Sequence, residues 1–306
     1  MGRIAIFASY DKQGIVHDYV ITYLKKLKQV ADKIIFIADN DVKDLEKNKI
    51  AQIADYAQFF HHGEYDFGSY KRGYLYAKKH GLLEEANELI FCNDSCFCVS
   101  SLQPVFKVMD EKKCDFWGIT KSYEKQKHLQ SYFMVFKSNV FNSKSFIDHI
   151  SGVTHQNNFM DIVNLYELPF THKLNQASFI ESEFICLGNE KNPTYYPQKT
   201  LEIGSPLIKR KVFTVRGCAK ENVRSLLKLL NIRYRLSYKE ICRYYKTSWS
   251  MLFPLIIPLD VEKLKSLFYQ RKINKNGKIC VKICKIQLPQ KIIQMCIKEQ
   301  LSEKIH

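Results

Sequence analysis

The chain has 306 residues, 46% of them hydrophobic, which is enough for one large domain or a domain with a tail, and its 12 Gly and 8 Pro exclude collagen-like and low-complexity classes. Its net charge of +16 is unevenly placed: residues 1–204 hold 24 Lys and Arg against 25 Asp and Glu, and residues 205–306 hold 23 against 6. A nearly neutral globular part and a basic tail follow, two units with two tasks.

RIAIFASY (residues 3–10) reads as a buried strand ending in the polar turn DKQG. Val16, Val20, Tyr23, Leu27 and Val30 then recur three or four apart, one face of a helix. KIIFIADN (33–40) is a second buried strand, and its end is Asp39-Asn40. The two strands and the helix make a β-α-β unit, and their unbroken apolar runs suit a parallel sheet covered on both faces. AQFFHH (57–62) is a third strand. The polar stretch HGEYDFGSYKRG reads as a loop leading to a helix around Tyr74 to His80. ELIFCNDS (88–95) is the fourth strand, residues 102–112 are helical, and DFWGIT (115–120) and SYFMVFKS (131–138) are two further strands. The alternation predicts an α/β fold with functional loops at the carboxyl ends of strands. In the tail, 221–231, 234–245 and 261–273 read as short basic helices.

The N-terminal apolar run stops at Asp11 with no small-residue cleavage site, so no signal peptide is expected. WSMLFPLIIPL (249–259) is the longest other apolar run, and its 11 residues with Pro254 and Pro258 fall short of the roughly 18 that span a bilayer. Among ten cysteines, Cys92, Cys96 and Cys98 are closely spaced and Cys280 and Cys284 are four apart, but no C-x2-C pair and no matching histidines point to zinc. Reduced thiols in a cytoplasmic protein are expected.

Asp94 ends an apolar strand between Asn93 and Ser95. Such a carboxylate is an oxygen ligand for Mg²⁺ or Mn²⁺, ions that use one or two carboxylates plus substrate phosphates. Asn-Asp-Ser is also ordinary turn chemistry. Asp39-Asn40 is placed to hydrogen-bond a base or ribose. Glu64 to Lys71 puts a carboxylate, a glycine and a lysine before a helix, which favours phosphate; the same residues also serve as an N-cap, Ser69 or Asp66, with a solvated lysine. No G-x-G-x-x-G or P-loop is present.

IAIFASYD, GEYDFGSYKRG, a strand ending in NDS, DFWGIT, YFMVFKSNVFNS, NLYELPFTHKL and NPTYYPQKTLEIGSPLIKR follow one another in that order. In this the chain resembles the rhamnan synthesis F family of bacterial glycosyltransferases over about residues 3–211. DFGSYK and the terminal NPT with PLIKR carry most of the resemblance. It implies a GT-A-like, Rossmann-related domain at 1–211, a mostly parallel sheet flanked by helices, followed by a basic, mainly helical region at 212–306. It also implies transfer of a sugar, rhamnose or another deoxy or heptose type, from a nucleotide diphosphate to a surface glycan such as capsule, O-antigen or lipooligosaccharide.

On this model Asn93-Asp94-Ser95 stands where GT-A enzymes place a metal-binding D-x-D, and only Asp94 keeps a charge. Asp94 with Ser95 would hold Mn²⁺ or Mg²⁺ and the diphosphate. Asp39 and Asp66 would contact the nucleoside, and Lys71 or Lys209 would neutralise phosphate. Ser9, Tyr10, Gly68 and Asn93 complete the expected donor-binding set. An inverting transfer needs a base, and Glu167 matches the glutamate of the family's Y-E-x-x-x-T stretch. A dipole-favoured helix N-terminal carboxylate is the plain alternative for Glu167. Glu183 and Glu181 in FIESEF, or Asp115, are the other candidates, although the two glutamates alternate as solvent-facing strand residues would.

The tail has two compatible readings. Its charge draws it to anionic lipid at the inner face of the cytoplasmic membrane, near a lipid-linked acceptor, with 249–259 dipping into the interface. Alternatively it packs on the catalytic domain with 249–259 in its core. An inactive scaffold with this fold is a rival function, as is nucleic-acid binding by the basic, tyrosine-rich IRYRLSYKEICRYYK, for which no RNA-recognition, OB or zinc-finger signature is present.

Overall fold

The apolar runs read as buried strands lie side by side in one sheet of the computed structural model, which describes residues 2–188, 192–214 and 219–247 and the short strands at 271–273 and 279–281. β1 (Arg3–Ser9) pairs in parallel with β2 (Lys33–Ala38), which pairs in parallel with β3 (Tyr56–Phe59). On its other side β1 pairs in parallel with β4 (Glu88–Asn93). β5 (Cys96–Cys98) leaves the sheet. β6 (Phe116–Ser122), β7 (His128–Leu129), β8 (Phe133–Lys137) and β9 (Glu181–Ile185) complete an eight-stranded sheet of order β3-β2-β1-β4-β8-β6-β7, with β9 on β6. β8 is antiparallel to both β4 and β6, so β6 and β9 run the same way as β1 to β4. The sheet is mixed and mostly parallel.

Strand side chains alternate between two cores, as a sheet covered on both faces requires. Ala5 and Phe7 face a core that takes in α1 (Asp18–Leu27), α2 (Asp44–Ala51) and later helices. Ile4, Ile6 and Ala8 face α3 (Tyr65–Lys79). The contact with α3 is close because Gly73 has no side chain: a Cβ there would stand 2.4 Å from Ile6. α4 (Gln103–Asp110) joins the first core. α5 (Ser138–Phe141), α6 (Lys144–Ser151), α7 (Phe159–Ile162) and α8 (Leu168–Gln176) pack on the second, with a π-helical turn, Val163–Glu167, joining the last two.

α9 (Pro197–Ile203) precedes β10 (Leu207–Lys209), which pairs antiparallel with β5. α10 (Val223–Arg233) and α11 (Arg235–Thr247) confirm the two helices expected there. Residue 211 is not a packing boundary, however. Leu226, Leu230, Ile241 and Tyr245 are buried in the same core as Phe7 and Phe97, and one compact unit runs from Met1 to Leu255. The charge of this region marks its exposed faces, while a narrow apolar stripe decides its packing. The second unit, Ile256–His306, is described only by an antiparallel pair, β11 (Arg271–Ile273) and β12 (Ile279–Val281). The helix expected at 261–273 thus ends in a strand, and the rest of it, like the 249–259 segment, lies outside the described residues. Among the described residues no helix is long and apolar enough to cross a membrane. Cys92, Cys96, Cys98 and Cys114 are buried free thiols.

Candidate active site

Three parallel strands end level. The register sets Ala8 beside Asn93 and Ser9 beside Ala38, so Ser9, Asp39 and Asp94 meet at one edge of the sheet. A cavity of about 380 Å³ opens there. It is bounded by those strand ends, by Tyr65, Asp66 and Ser69 at the start of α3, and by His155, Gln156 and Phe159. Its position is the crevice where open α/β sheets bind ligands.

Asp94 is 8% exposed and heavily engaged. Ser9 Oγ and the Tyr10 N–H each donate to its Oδ2 at 2.9 Å, and Arg210 Nη2 faces its Oδ1 at 3.5 Å. Tyr19 Oη donates to its backbone carbonyl at 3.0 Å. Behind it, the Arg210 guanidinium lies 5.3 Å from the Tyr19 ring and donates to Tyr244 Oη at 2.8 Å. Burial opposes the charge on Arg210, and Asp94 foremost among its neighbours raises its pKa above the ordinary value. Its Nε is buried with no acceptor among the described residues.

Asn93 is an internal strut. Its Oδ1 accepts from the Ser95 N–H (3.2 Å) and hydroxyl (2.5 Å), and its Nδ2 donates to Asp66 Oδ2 at 3.0 Å. Lys209 Nζ donates to Ser95 Oγ at 2.9 Å. The metal expected on Asp94 and Ser95 therefore does not fit these residues. A divalent cation needs open oxygen ligands, yet Asp94 already carries two donors and faces a guanidinium, and an ammonium occupies Ser95. Among the described residues no three His, Cys, Asp or Glu side chains group as metal ligands.

Asp39 closes the loop into α3. The N–H groups of His62, Gly63 and Tyr65 donate to its carboxylate at 2.7, 2.8 and 3.2 Å. These bonds hold Tyr65 at φ 55°, a left-handed conformation unusual for a tyrosine. His61, on the exposed side of Asp39, has its pKa raised by the Asp39 carbonyl and carboxylate. His62 lies behind, against Ser69 at 3.0 Å, and burial lowers it to about 4.

Asp66 lines the cavity, and burial together with the charge of Glu167 raises its pKa to about 6. Glu167, in the π-helical turn, is not among the lining residues; Ser131 donates to its Oε1 from both N–H and hydroxyl at 3.0 Å.

Other expected residues stand elsewhere. The stretch read as a loop is the first two turns of α3. Gly68 there packs on Glu64, whose Cβ would lie 2.2 Å from an added Cβ. Lys71 is committed to the Val153 carbonyl at 2.5 Å and to Glu64 at 3.3 Å. Asp115 precedes β6, at the entry end of a strand whose direction matches β4, so it lies across the sheet from the cavity; it accepts from Asn139 and the Ile180 N–H at 2.8 Å. Glu183 and Glu181 pair with Lys121 at 2.7 and 2.9 Å on β9. The sequence reading missed His61, His155, Gln156 and Arg210. For the middle pair the one available signal was the polar run THQNN between apolar helices.

Solved structures share parts of this fold at low identity. A cytidylyltransferase from Leptospira borgpetersenii is 9% identical, covering 81% of this chain and 94% of its own, with a TM-score of 0.41. The mannosyltransferase Ktr4p from S. cerevisiae in complex with GDP is 11% identical, covering 59% and 69%, with a TM-score of 0.36. Core-mannan synthase A from Aspergillus fumigatus, in an Mn/GDP form, is 12% identical, covering 56% and 69%, with a TM-score of 0.32. No curated protein matches the chain in sequence. The family model of rhamnan synthesis protein F, by contrast, matches residues 34–283, from β2 through β12. Over that span the chain belongs to the rhamnan synthesis protein F family.

Proposed function

We propose that the cavity binds a nucleoside-diphosphate sugar and that the chain transfers its sugar, rhamnose or a related deoxy or heptose type, to a hydroxyl of a growing surface glycan. The observation that carries this reading is the meeting of three polar strand ends around a cavity of about 380 Å³ in a chain of this family. In the transfer the acceptor oxygen bonds to the anomeric carbon. The bond from that carbon to the diphosphate breaks, and its electron pair leaves on the phosphate oxygen. The hydroxyl proton passes to a carboxylate.

We assign that base to Asp66, which lines the cavity and whose pKa of about 6 keeps it ionised at neutral pH while making it a stronger base than an ordinary aspartate. Glu167, the base expected from the resemblance, instead tunes Asp66 through its charge. Saturation-transfer NMR of the protein with UDP-, dTDP- and GDP-sugars tests the donor site. Transfer to the nucleotide protons of one class is expected, and silence from all three sinks the reading.

The acceptor in this proposal is lipid-linked and the chain docks on an anionic membrane. Supporting this, Ile232 (80% exposed) and Leu236 (83% exposed) project at the α10–α11 corner, among exposed Lys228, Arg233, Arg235 and Lys239. Aliphatic tips within a basic collar suit an interface of acidic headgroups. Sedimentation with phosphatidylglycerol vesicles should succeed where phosphatidylcholine vesicles fail. The pair Ile232→Asp and Leu236→Asp should weaken it about tenfold or more; equal sedimentation with both lipids would remove the membrane from the proposal.

A further inference from the structure

We propose that the donor's diphosphate is held by the basic run Lys209-Arg210-Lys211 in place of a divalent cation, an inference that rests on the donor site proposed above. The end of β10 and the turn after it set this run beside the cavity wall. Lys209 lies opposite Cys96 on β5, and the Arg210 N–H donates to the Ser95 carbonyl at 2.8 Å. The Lys209 ammonium stands on Ser95 Oγ at 2.9 Å and 4.4 Å from the Tyr132 ring. Lys211 is exposed, with Nζ 5.5 Å from the Phe159 ring. Ser95 and Phe159 both line the cavity, on different walls. The two ammonium groups thus stand against residues of the cavity wall without being part of its lining, and Arg210 between them turns inward to Asp94.

The two strand-end carboxylates are satisfied without a metal. Arg210 offsets Asp94. Three backbone N–H groups satisfy Asp39. Lys71 is spent on Glu64 and Val153. The two positive charges a divalent ion would bring are supplied by Lys209 and Lys211, whose N–H donors reach phosphate oxygens as short charge-assisted bonds. A cation entering at Ser95 would first have to displace the Lys209 ammonium and then compete with Arg210 for Asp94. On this reading Asp94 is a positioning residue: it fixes Arg210, and with it the segment between Lys209 at the end of β10 and Lys211 in the turn that follows.

Calorimetric titration of the full chain with UDP, dTDP and GDP, in EDTA and then in Mn²⁺, tests the inference. One nucleotide is expected to bind in EDTA within about threefold of its affinity in Mn²⁺. Lys211→Ala, at an exposed position, should weaken that binding about tenfold, and Lys209→Gln at least as much. Binding that appears only with Mn²⁺ overturns the metal-free assignment and leaves the donor site standing. No binding in either condition overturns both. Wild-type affinity in both lysine variants removes the diphosphate from this run.

Discussion

Asp94→Asn is expected to cost about 3 kcal/mol of folding stability, measured by urea unfolding with an unchanged m-value. The amide is isosteric, so its oxygen still accepts from Ser9 or Tyr10, which hold the carboxylate at 2.9 Å. What disappears is the charge opposite Arg210. A guanidinium left without its counter-charge in a mostly buried site is the costly half of a broken ion pair. The double variant Asp94→Asn with Arg210→Met should therefore recover most of the loss, because the methionine stem keeps the packing against Tyr19 and Tyr244. Two other accounts of Asp94 predict different results. A solvated turn carboxylate would lose less than about 0.5 kcal/mol on becoming an amide. A carboxylate kept for a metal would be relieved of its own desolvation when the metal-free protein carries asparagine there, and stability would rise. A loss near 3 kcal/mol with recovery in the double variant fits the ion pair alone.

The link between Asp94 and Arg210 also explains why the site was only half legible in the sequence. β1, β2 and β4 announced themselves because each is an apolar run that a polar residue ends, and the carboxyl ends of parallel strands are where ligands go. That logic found Asp39 and Asp94, the family resemblance added Ser9 and Asn93, and the register brings these strand ends level. It has no access to partners distant in the chain. Arg210 follows a three-residue strand that pairs with β5, and its tyrosine neighbour Tyr244 comes from α11. Nothing local marks either one as part of the site. The start of α3 was misread for a different reason. Its glycines and run of polar side chains look like a loop, yet the helix forms because Asp39, from another strand, receives the N–H groups at its start. In the tail, α10 and α11 are legible as short basic helices, but composition describes what solvent sees, and Leu226, Leu230 and Ile241 pack where composition cannot reach.

Asp66→Asn is expected to make the protein more stable and abolish its chemistry. The carboxyl titrates at about 6 in the folded chain, against about 3.9 for an unperturbed aspartate. Burial comes first among the causes and the Glu167 charge second, and both act against the ionised form. The folded state thus binds the proton more tightly than the unfolded one. Below pH 4 both states are protonated and the site costs nothing. As pH rises through 4 to 6 the unfolded chain releases its proton first, and above 6 the folded protein carries a disfavoured charge. The full cost, about 3 kcal/mol, is present at neutral pH. Asparagine removes the charge and its oxygen still accepts from Asn93, which donates to Asp66 at 3.0 Å, while the Phe67 N–H, 3.1 Å from the other carboxylate oxygen, loses its acceptor at a cost of about 1 kcal/mol. The variant should therefore gain about 2 kcal/mol at pH 7.5, with the gain fading towards pH 4. Transfer should fall by about 10²-fold or more, the contribution of a positioned base. In the wild type, kcat/KM should decline below pH 6 as Asp66 takes up its proton. A variant that loses stability at pH 7.5 would mean that the carboxylate holds the structure, and one that keeps transfer within about twofold would move the base elsewhere. Stability gained together with activity lost is the pattern of a charge kept in an unfavourable place because the reaction uses it.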